Sequence, residues 1–173
     1  MILVTGGTGL LGSHLLPELV KRNEDVVATK RKSSDLGEVK RLFGYYSGEE
    51  DALFARIRWV DTDLLDYVAL LDVMEGVKRV YHCAGMVSFE RQFRRKMMLN
   101  NVRGTANVVD ACLEKHIEKM VHVSSSSAIG QPPDGELADE SMIFAPSRSG
   151  TGYALSKFKS EMEVWRGIEH GLK

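Results

Sequence analysis

The sequence predicts an α/β fold in which helices cover both faces of a doubly wound parallel sheet. Short β-branched runs alternate with helical patterns along the chain, and the first run leads through a glycine-rich turn directly into a helix. Strands that alternate with helices of this length form βαβ units, and right-handed crossovers then favour the strand order 3-2-1-4-5. The 173 residues are enough for one domain, residues 1–173, with a core of its own.

The first half of the chain contains three predicted strands, because each short apolar run is bounded by glycine or polar residues that interrupt regular structure. These strands are Ile2–Thr5, Asp25–Lys30 and Ile57–Val60. The predicted helices are Leu10–Arg22, Leu36–Arg56 in two pieces separated by the turn at Tyr46–Gly48, and Tyr67–Met74. The alternation therefore places a helical connection between each pair of successive strands.

The second half continues the alternation with two further predicted strands, Arg79–Cys83 and Met120–Ser124. The longest helical pattern, Phe93–Lys115, lies between them, and a final helix covers Tyr153–Glu169. The segment from Ser125 to Gly150 is rich in serine and proline and is predicted to be a loop.

The composition excludes several classes of partner. The formal net charge is −1, and the densest basic group, Arg91 to Lys96, is predicted to be a solvated helix face, so we expect no nucleic-acid or membrane-surface partner. The sequence has no apolar run of about 18 residues that would span a membrane, and a strand beginning at Ile2 leaves no room for a signal peptide. Cys83 and Cys112 lie in apolar surroundings without metal-ligand spacing and are predicted to be buried reduced thiols. We therefore expect a cytoplasmic protein without a metal site.

The turn between the first strand and the first helix has the context in which a glycine motif binds a dinucleotide. Gly6 permits the tight turn, Gly9 lets backbone amides approach a pyrophosphate, and Gly12 lets the helix pack closely on the sheet. The helix that begins at Leu10 and Leu11 adds unpaired N–H groups and a partial positive charge. The spacing G-x-x-G-x-x-G differs from the commoner G-x-G-x-x-G and is more informative.

In an open α/β sheet, ligands bind beyond the C-terminal ends of the strands. Segments that follow the five strands are therefore expected to converge on one crevice. They are Gly6–Gly12, Thr29–Ser33, Asp61–Leu64, Ala84–Phe89 and Ser124–Gly130.

The end of the second strand indicates which dinucleotide binds. An NAD enzyme places a carboxylate here to hold the adenosine ribose. This sequence has Lys30, Arg31 and Lys32 instead, followed by two serines. An arginine with neighbouring hydroxyls suits a 2′-phosphate, which favours NADP over NAD. The alternative interpretation is a set of exposed loop charges, and Asp35 comes too late to replace the missing acid.

Tyr153 and Lys157 form the sharpest catalytic signal, because residues four apart lie on one face of a helix. The pKa of a free tyrosine is about 10, too high for ready proton exchange at neutral pH, and a nearby cation or a helix N-terminus lowers such a pKa. A tyrosine in this setting can donate a proton to a carbonyl or remove one from an alcohol. Ser124–Ser127 at the end of the fifth strand could supply a donor to the substrate oxygen, although a polar turn that satisfies its own backbone is the alternative.

Together these motifs resemble those of the extended short-chain dehydrogenases/reductases, a group that contains nucleotide-sugar epimerases and dehydratases, 3β-hydroxysteroid dehydrogenases and dihydroflavonol reductases. The matching motifs follow in the expected order over nearly the whole chain. They are Thr5–Gly12, Asp63-Leu64, His82–Gly85, Asn101–Thr105, Val123–Ser125 and Tyr153-x-x-Ser156-Lys157-x-x-x-Glu161.

The resemblance implies roles for the catalytic residues. Tyr153 matches the acid/base, and Lys157 matches the lysine that lowers its pKa and holds the nicotinamide ribose. Counting back five positions from Gly130 gives Ser125 as the active-site serine, with the next serine as the fallback. Asn101 matches an asparagine whose role is structural or in proton relay.

The resemblance also implies cofactor contacts and a quaternary structure. Asp63 matches the aspartate that meets the adenine amino group, Leu64 packs beside the ring, and Ala84 and Gly85 pass along the cofactor. Members commonly form homodimers through two helices. These correspond to Phe93–Lys115 and Tyr153–Glu169, where Met97, Met98, Met162 and Trp165 could line the interface or belong to the core.

The family continues beyond the tyrosine–lysine helix with further sheet elements and a smaller C-terminal substrate domain, whereas this sequence stops at Lys173. We therefore expect the N-terminal part of a longer enzyme, and expect that this part alone could be inactive. Apolar residues that could line a small-molecule substrate site are Met86, Val87, Phe89, Met142, Ile143 and Phe144, with Ser88 among them.

Three functions are compatible with the sequence. The first is an NADP-dependent oxidoreductase that acts on a carbonyl or secondary alcohol, with Tyr153 as acid/base. The second is a nucleotide-sugar epimerase or dehydratase that keeps its NAD bound, although such enzymes more often carry an acid at the end of the second strand. The third is a non-catalytic dinucleotide-binding sensor, against which the retained Ser125, Tyr153 and Lys157 argue. A glycine-rich methyltransferase would leave the later motifs unexplained.

Overall fold

The computed structural model describes residues 1–46, 48–130, 132, 137–145 and 152–173. The described residues form a five-stranded parallel sheet in the predicted order β3-β2-β1-β4-β5. The strands are β1 Ile2–Thr5, β2 Val26–Lys30, β3 Ile57–Asp61, β4 Arg79–His82 and β5 Lys119–His122. The fifth strand was predicted to reach Ser124, but its pairing with β4 ends at the His82–His122 register pair.

Helices fill the connections between the strands. They are α1 Leu10–Lys21, α2 Leu36–Gly44, α3 Glu50–Ala55, α4 Tyr67–Val73, α5 Arg94–Met97, α6 Gly104–Glu114 and α7 Gly152–Glu169, with 3₁₀ turns at Arg91–Phe93 and Ser126–Ala128. None of the helices in these described segments has the length and hydropathy to cross a membrane. Ser47 of the predicted turn, and residues 131, 133–136 and 146–151 of the predicted loop, lie outside the described residues.

The long helix predicted over Phe93–Lys115 is not one continuous α-helix. A π-helical segment, Met98–Arg103, separates α5 from α6. Side chains engage backbone carbonyls there: Asn100 Nδ2 donates to Lys96 O at 2.8 Å, and Ser160 Oγ of α7 donates to Asn101 O at 2.9 Å. A hydrophobic period cannot reveal this irregularity, because hydrogen bonds to a distant helix accompany it.

Alternate residues of β1 face two separate cores. Ile2 and Val4 pack with residues of α1, α2 and α3, whereas Leu3 packs with residues of α4 and α6. All three are fully buried, and burying such a side chain is worth about 1.5–3 kcal/mol. The sheet is therefore covered on both faces, which leaves the ends of its strands as the place for a site.

The final helix is fixed against α6 by a close approach. A Cβ atom on Gly167 would lie 2.5 Å from Val109 Cγ1, and Arg166 donates to Asp110 at 2.7 Å. After α7 the chain returns to β5, where Met120 N donates to Lys173 O at 2.7 Å. These contacts hold α7, and with it Tyr153, in a defined position beside the sheet.

Candidate active site

The glycine turn after β1 is packed too tightly for side chains at two positions. Gly6 has φ +69°, and a Cβ atom there would lie 2.6 Å from Ala84 Cα. A Cβ atom on Gly12 would lie 2.3 Å from Gly6 O, so the first turn of α1 rests directly on the loop. Gly9 is the N-cap of α1, and no side chain among the described residues caps that helix. Its first-turn N–H groups therefore suit an anion, as a dinucleotide pyrophosphate requires.

A cleft of about 840 Å³ lies at the ends of the strands. Four of the five predicted segments line it, and the fifth, Ser124–Gly130, does not. Seven of the predicted cofactor residues are on its walls: Gly6, Gly9, Arg31, Asp63, Leu64, Ala84 and Gly85. The other four, Leu10, Leu11, Gly12 and Lys157, do not line the cleft. Leu10 and Leu11 are 83% and 51% exposed, whereas Gly12 and Lys157 are buried.

The loop after β2 presents basic groups to this cleft. Lys30 forms an ion pair with Asp61, and Asp35 Oδ1 caps α2 by accepting from Gly37 N at 2.7 Å. The exposed side chains of Arg31 and Lys32 have no acidic partner within the described segments. Asp61 and Asp35 are thus engaged, and the side chains of Arg31 and Lys32 remain available to a ligand.

The turn after β3 positions Asp63 and Leu64 through local hydrogen bonds. Asp63 Oδ1 accepts from Leu65 N at 3.0 Å, and Leu64 O accepts from Asn107 Nδ2 at 2.8 Å. Leu64 also lies against Gly104: a Cβ atom added to Gly104 would be 3.3 Å from the Cβ atom of Leu64. The half-buried leucine is therefore held against α6 on the cleft wall.

Asn101 of the π-helical segment ties the loop after β4 to α7. Its Oδ1 accepts from Met86 N at 2.7 Å, and its Nδ2 donates to Met86 O and to Ser156 Oγ, each at 2.9 Å. Its backbone carbonyl accepts from Ser160 Oγ. The side-chain amide is buried, and both its N–H donors and its oxygen acceptor are used in these hydrogen bonds. They fit a structural role, which is one of the two roles that the resemblance implies for Asn101, the other being proton relay. Ser160 was not singled out from the sequence, although it repeats Ser156 one helical turn later.

Lys157 reaches from α7 to the end of β5. Its Nζ donates to Val123 O at 2.7 Å, the residue is only 5% exposed, and burial lowers the pKa of its ammonium while Glu161 partly opposes this. Tyr153 is half-buried one turn earlier in α7, and its ring meets Phe89 edge-on with centroids 6.4 Å apart. The two residues thus occupy successive turns of one helix beside the end of the fifth strand, as their spacing predicts.

The serines after β5 differ in their hydrogen bonding. Ser125 Oγ accepts from Ser127 N at 3.2 Å, and its hydroxyl hydrogen has no acceptor among the described residues. Ser124 Oγ is buried and has no hydrogen-bond partner in the part of the chain that the structure describes, and Ser126 is exposed. The interpretation as a polar turn therefore explains the hydrogen bond that Ser125 Oγ accepts, but it leaves the hydroxyl hydrogen of Ser125 available to a ligand.

Two neighbouring histidines lie at the ends of β4 and β5, next to the loops of the site. His82 is buried and belongs to the motif His82–Gly85, whereas the half-buried His122 was not singled out from the sequence. His82 Nδ1 contacts Thr5 Oγ1 at 2.6 Å, its Nε2 contacts Thr105 Oγ1 at 2.9 Å, and its ring lies 5.3 Å from that of His122. Both ring nitrogens of His122 are buried and have no hydrogen-bond partner among the described residues. Burial, followed by the nearby charge of Lys157, lowers the pKa of His122 to about 4. The sequence signal that could have revealed this pair is a histidine at the same position of two neighbouring strands, since His82 of β4 pairs in register with His122 of β5.

The apolar residues expected beside a substrate fall into two groups. Val87, Phe89 and Ile143 are largely exposed, at 60%, 77% and 89%. Phe144 instead stacks on Phe158 with centroids 4.5 Å apart, so it belongs to the packing of the domain.

The two predicted thiols also differ. Cys112 is in the core, whereas Cys83 is only half-buried and borders the cleft. Burial raises the pKa of Cys83 to about 11, which keeps it protonated at neutral pH.

The described residues form a doubly wound α/β domain with a glycine turn and a cleft at its strand ends, and with Tyr153 and Lys157 on its final helix. The family model described as the NAD dependent epimerase/dehydratase family matches residues 2–171. The chain belongs to this family, within the extended short-chain dehydrogenases/reductases.

Two curated relatives are similar over almost the whole chain. Sterol demethylase protein B of Methylococcus capsulatus is 33% identical over 98% of this chain and 48% of its own length. A putative dihydroflavonol 4-reductase of Synechocystis is 32% identical over 97% of this chain and 45% of its own length. The chain therefore spans less than half the length of each of these relatives.

Solved structures show the same fold. The UDP-Glc/GlcNAc 4-epimerase of Campylobacter jejuni superposes with a TM-score of 0.81 at 22% identity, over 98% of this chain and 49% of its own. MoeE5, solved in complex with UDP-glucose and NAD, gives a TM-score of 0.76 at 26% identity, over 98% of this chain and 50% of its own.

Proposed function

We propose that this chain is the cofactor-binding and catalytic part of an NADP-dependent oxidoreductase that interconverts a carbonyl and a secondary alcohol. The observation that carries the proposal is the arrangement of Tyr153 and Lys157 on α7, with the Lys157 ammonium anchored at 2.7 Å on the carbonyl that follows β5. Ser125 comes two residues after that carbonyl, and its hydroxyl hydrogen is available. This arrangement supports assigning Ser125 as the donor, Tyr153 as the acid/base and Lys157 as the cation of the proposed reaction.

The residues have separate tasks in the proposed reaction. A bound nicotinamide dinucleotide supplies the hydride for reduction or accepts it in oxidation. In reduction, the Ser125 hydroxyl donates a hydrogen bond to the substrate oxygen, and the Tyr153 phenol delivers the proton that completes the alcohol. Of the three Lys157 ammonium hydrogens, one is bound by Val123 O, which leaves two for the phenolate oxygen and the cofactor ribose.

The preference for NADP is supported by the charges beside β2. Asp61 is paired with Lys30 and Asp35 caps α2, so neither carboxylate is free to hold a ribose diol. Arg31 lines the cleft without an acidic partner in the described segments, and its backbone N–H donates to Ser34 Oγ at 3.2 Å. A guanidinium beside hydroxyls is suited to the 2′-phosphate that distinguishes NADP.

The Tyr153→Phe variant tests the catalytic proposal. The phenylalanine ring keeps the packing against Phe89 but removes the proton donor, so carbonyl reduction by the full-length protein is expected to fall about 10²- to 10⁴-fold, the range typical of general acid–base catalysis. Tyr45→Phe is the matched control, because Tyr45 is 89% exposed and outside the cleft. Turnover by Tyr153→Phe equal to that of the unchanged protein would show that the mechanism is wrong. Absence of turnover in the unchanged full-length protein would favour a non-catalytic sensor.

A nucleotide-sugar epimerase or dehydratase is the second candidate. It is favoured by the likeness to MoeE5, whose structure contains UDP-glucose and NAD. Such an enzyme would retain NAD and cycle it, whereas the proposed oxidoreductase releases its oxidised cofactor. Release of NAD on denaturing the purified full-length protein would support the second candidate.

A further inference from the structure

Lys96 belongs to the dinucleotide cleft, although it lies in the basic stretch interpreted from the sequence as a solvated helix face. Lys96 and Asn100 come from the helical segment after β4 and line the same cleft as Gly6, Gly9 and Arg31. Residues four apart share one face of a helix, so a single face supplies both. The cleft therefore has a basic wall that is separate from the loop after β2.

The π-helical segment fixes which face of the helix meets the cleft. Asn100 Nδ2 donates to Lys96 O at 2.8 Å, which links the two cleft residues through the backbone. The next residue, Asn101, is buried with its amide bonded to Met86 and to Ser156. With Asn101 anchored in the interior on one side, Lys96 and Asn100 are kept at the cleft.

The charges around the cleft leave Lys96 without a protein counterion. Lys30 is paired with Asp61, whereas Lys96 has no acidic partner in the residues that the structure describes. The glycine turn offers only neutral N–H groups, yet a dinucleotide pyrophosphate carries two negative charges. We propose that Lys96 is a cofactor-binding residue whose ammonium contacts the pyrophosphate, an inference that rests on the proposed function. Arg31 is assigned to the 2′-phosphate because it follows β2, whereas Lys96 comes from the segment after β4.

The test is calorimetric titration of NADPH and of NADH into the protein and its Lys96→Gln variant, so the measurement is binding rather than turnover. Loss of one charge contact is expected to raise both dissociation constants about fivefold to tenfold and to make them less sensitive to salt. Lys96→Arg is expected to restore binding. Lys119→Gln is the matched control, because Lys119 is an exposed lysine at the start of β5, away from the C-terminal strand ends.

The outcomes separate this inference from the function on which it rests. Unchanged dissociation constants for both dinucleotides in Lys96→Gln would overturn the assignment of Lys96 while leaving the proposed function intact. If Lys96→Gln weakened the binding of NADPH alone, the assignment of Lys96 to the pyrophosphate would also be overturned, because Lys96 would then contact the 2′-phosphate. If the unchanged protein bound neither dinucleotide, the proposed function would fail together with this inference.

Discussion

At the scale of single residues, the site depends on positions where an added atom has no room. Gly12 is the clearest of them, because the first turn of α1 meets the backbone of the glycine loop there. The atoms nearest to an added Cβ would be Gly6 O at 2.3 Å, Gly6 C at 3.0 Å and Gly7 Cα at 3.1 Å, all of them backbone. A backbone neighbour cannot rotate away as a side chain can, so the loop itself would have to move.

Gly12→Ala is therefore expected to lower the free energy of unfolding by about 1–3 kcal/mol, the usual cost of overpacking, and to weaken dinucleotide binding. Urea denaturation measures the first effect, and a titration measures the second. Gly48→Ala is the control, since no atom lies within 4 Å of an added Cβ there. Equal stability of the two variants would show that the loop accommodates the extra atom and that its close packing is not required.

At the scale of elements, β4 and β5 place two histidines side by side. His82 is buried, and His122 is half-buried with both of its ring nitrogens covered. The pKa of His122 is lowered from 6.5 to about 4, and that of His82 is also lowered, in each case chiefly by burial. Between these values the unfolded chain binds protons that the folded chain does not, so stability is full above about pH 6.5 and is lost as the pH falls. The two strands therefore make the domain sensitive to acid.

Lowering the pH from 7 to 5 is expected to cost about 2 kcal/mol of stability through His122 alone, from 1.36 kcal/mol per pKa unit. Denaturant titrations at several pH values measure this loss. His122→Gln should make the dependence on pH shallower, whereas His170→Gln, at an exposed position, should not. A free energy of unfolding that stays constant or rises as the pH falls to 5 would contradict the buried, neutral histidine pair.

The elements also show how far the sequence can be interpreted. The order of strands and helices was predictable because the strands are short apolar runs rich in β-branched residues. The placement of Tyr153 and Lys157 on successive turns of one helix was predictable from their spacing of four residues. The π-helical segment was not, because it is accompanied by hydrogen bonds from Ser160 and Asn100 that no hydrophobic period encodes. The contact of Lys157 with Val123 O, like the pairing of the two histidines, depends on how elements distant in sequence are aligned.

At the scale of the whole molecule, α7 and the segment of α5 to α6 also form a second surface. A groove of about 730 Å³ between them is lined by Met98, Leu99 and Val102 among others, and Trp165 of α7 is 58% exposed. Met97, considered for an interface on sequence grounds, is instead buried in the core. We propose that this surface is where two copies of the protein form a homodimer.

Trp165→Glu is expected to shift the protein from dimer to monomer, because it removes an exposed aromatic side chain whose apolar surface would be buried between the two copies. Light scattering after size-exclusion chromatography measures the mass directly. Val68→Glu is the control, since Val68 is 67% exposed on α4, outside the groove. A dimer that survives Trp165→Glu but not Val68→Glu would place the interface elsewhere.

We have proposed that the cleft at the ends of the strands binds NADP, and a comparison of NADPH with NADH measures this preference. Titration of both into the protein, with Arg31→Gln alongside, measures the preference and its cause. We expect NADPH to bind about tenfold or more tightly than NADH, a difference of about 1.4 kcal/mol or more, and Arg31→Gln to abolish this preference. Equal or tighter binding of NADH by the unchanged protein would show that the cleft is not an NADP site and would favour an NAD-retaining epimerase.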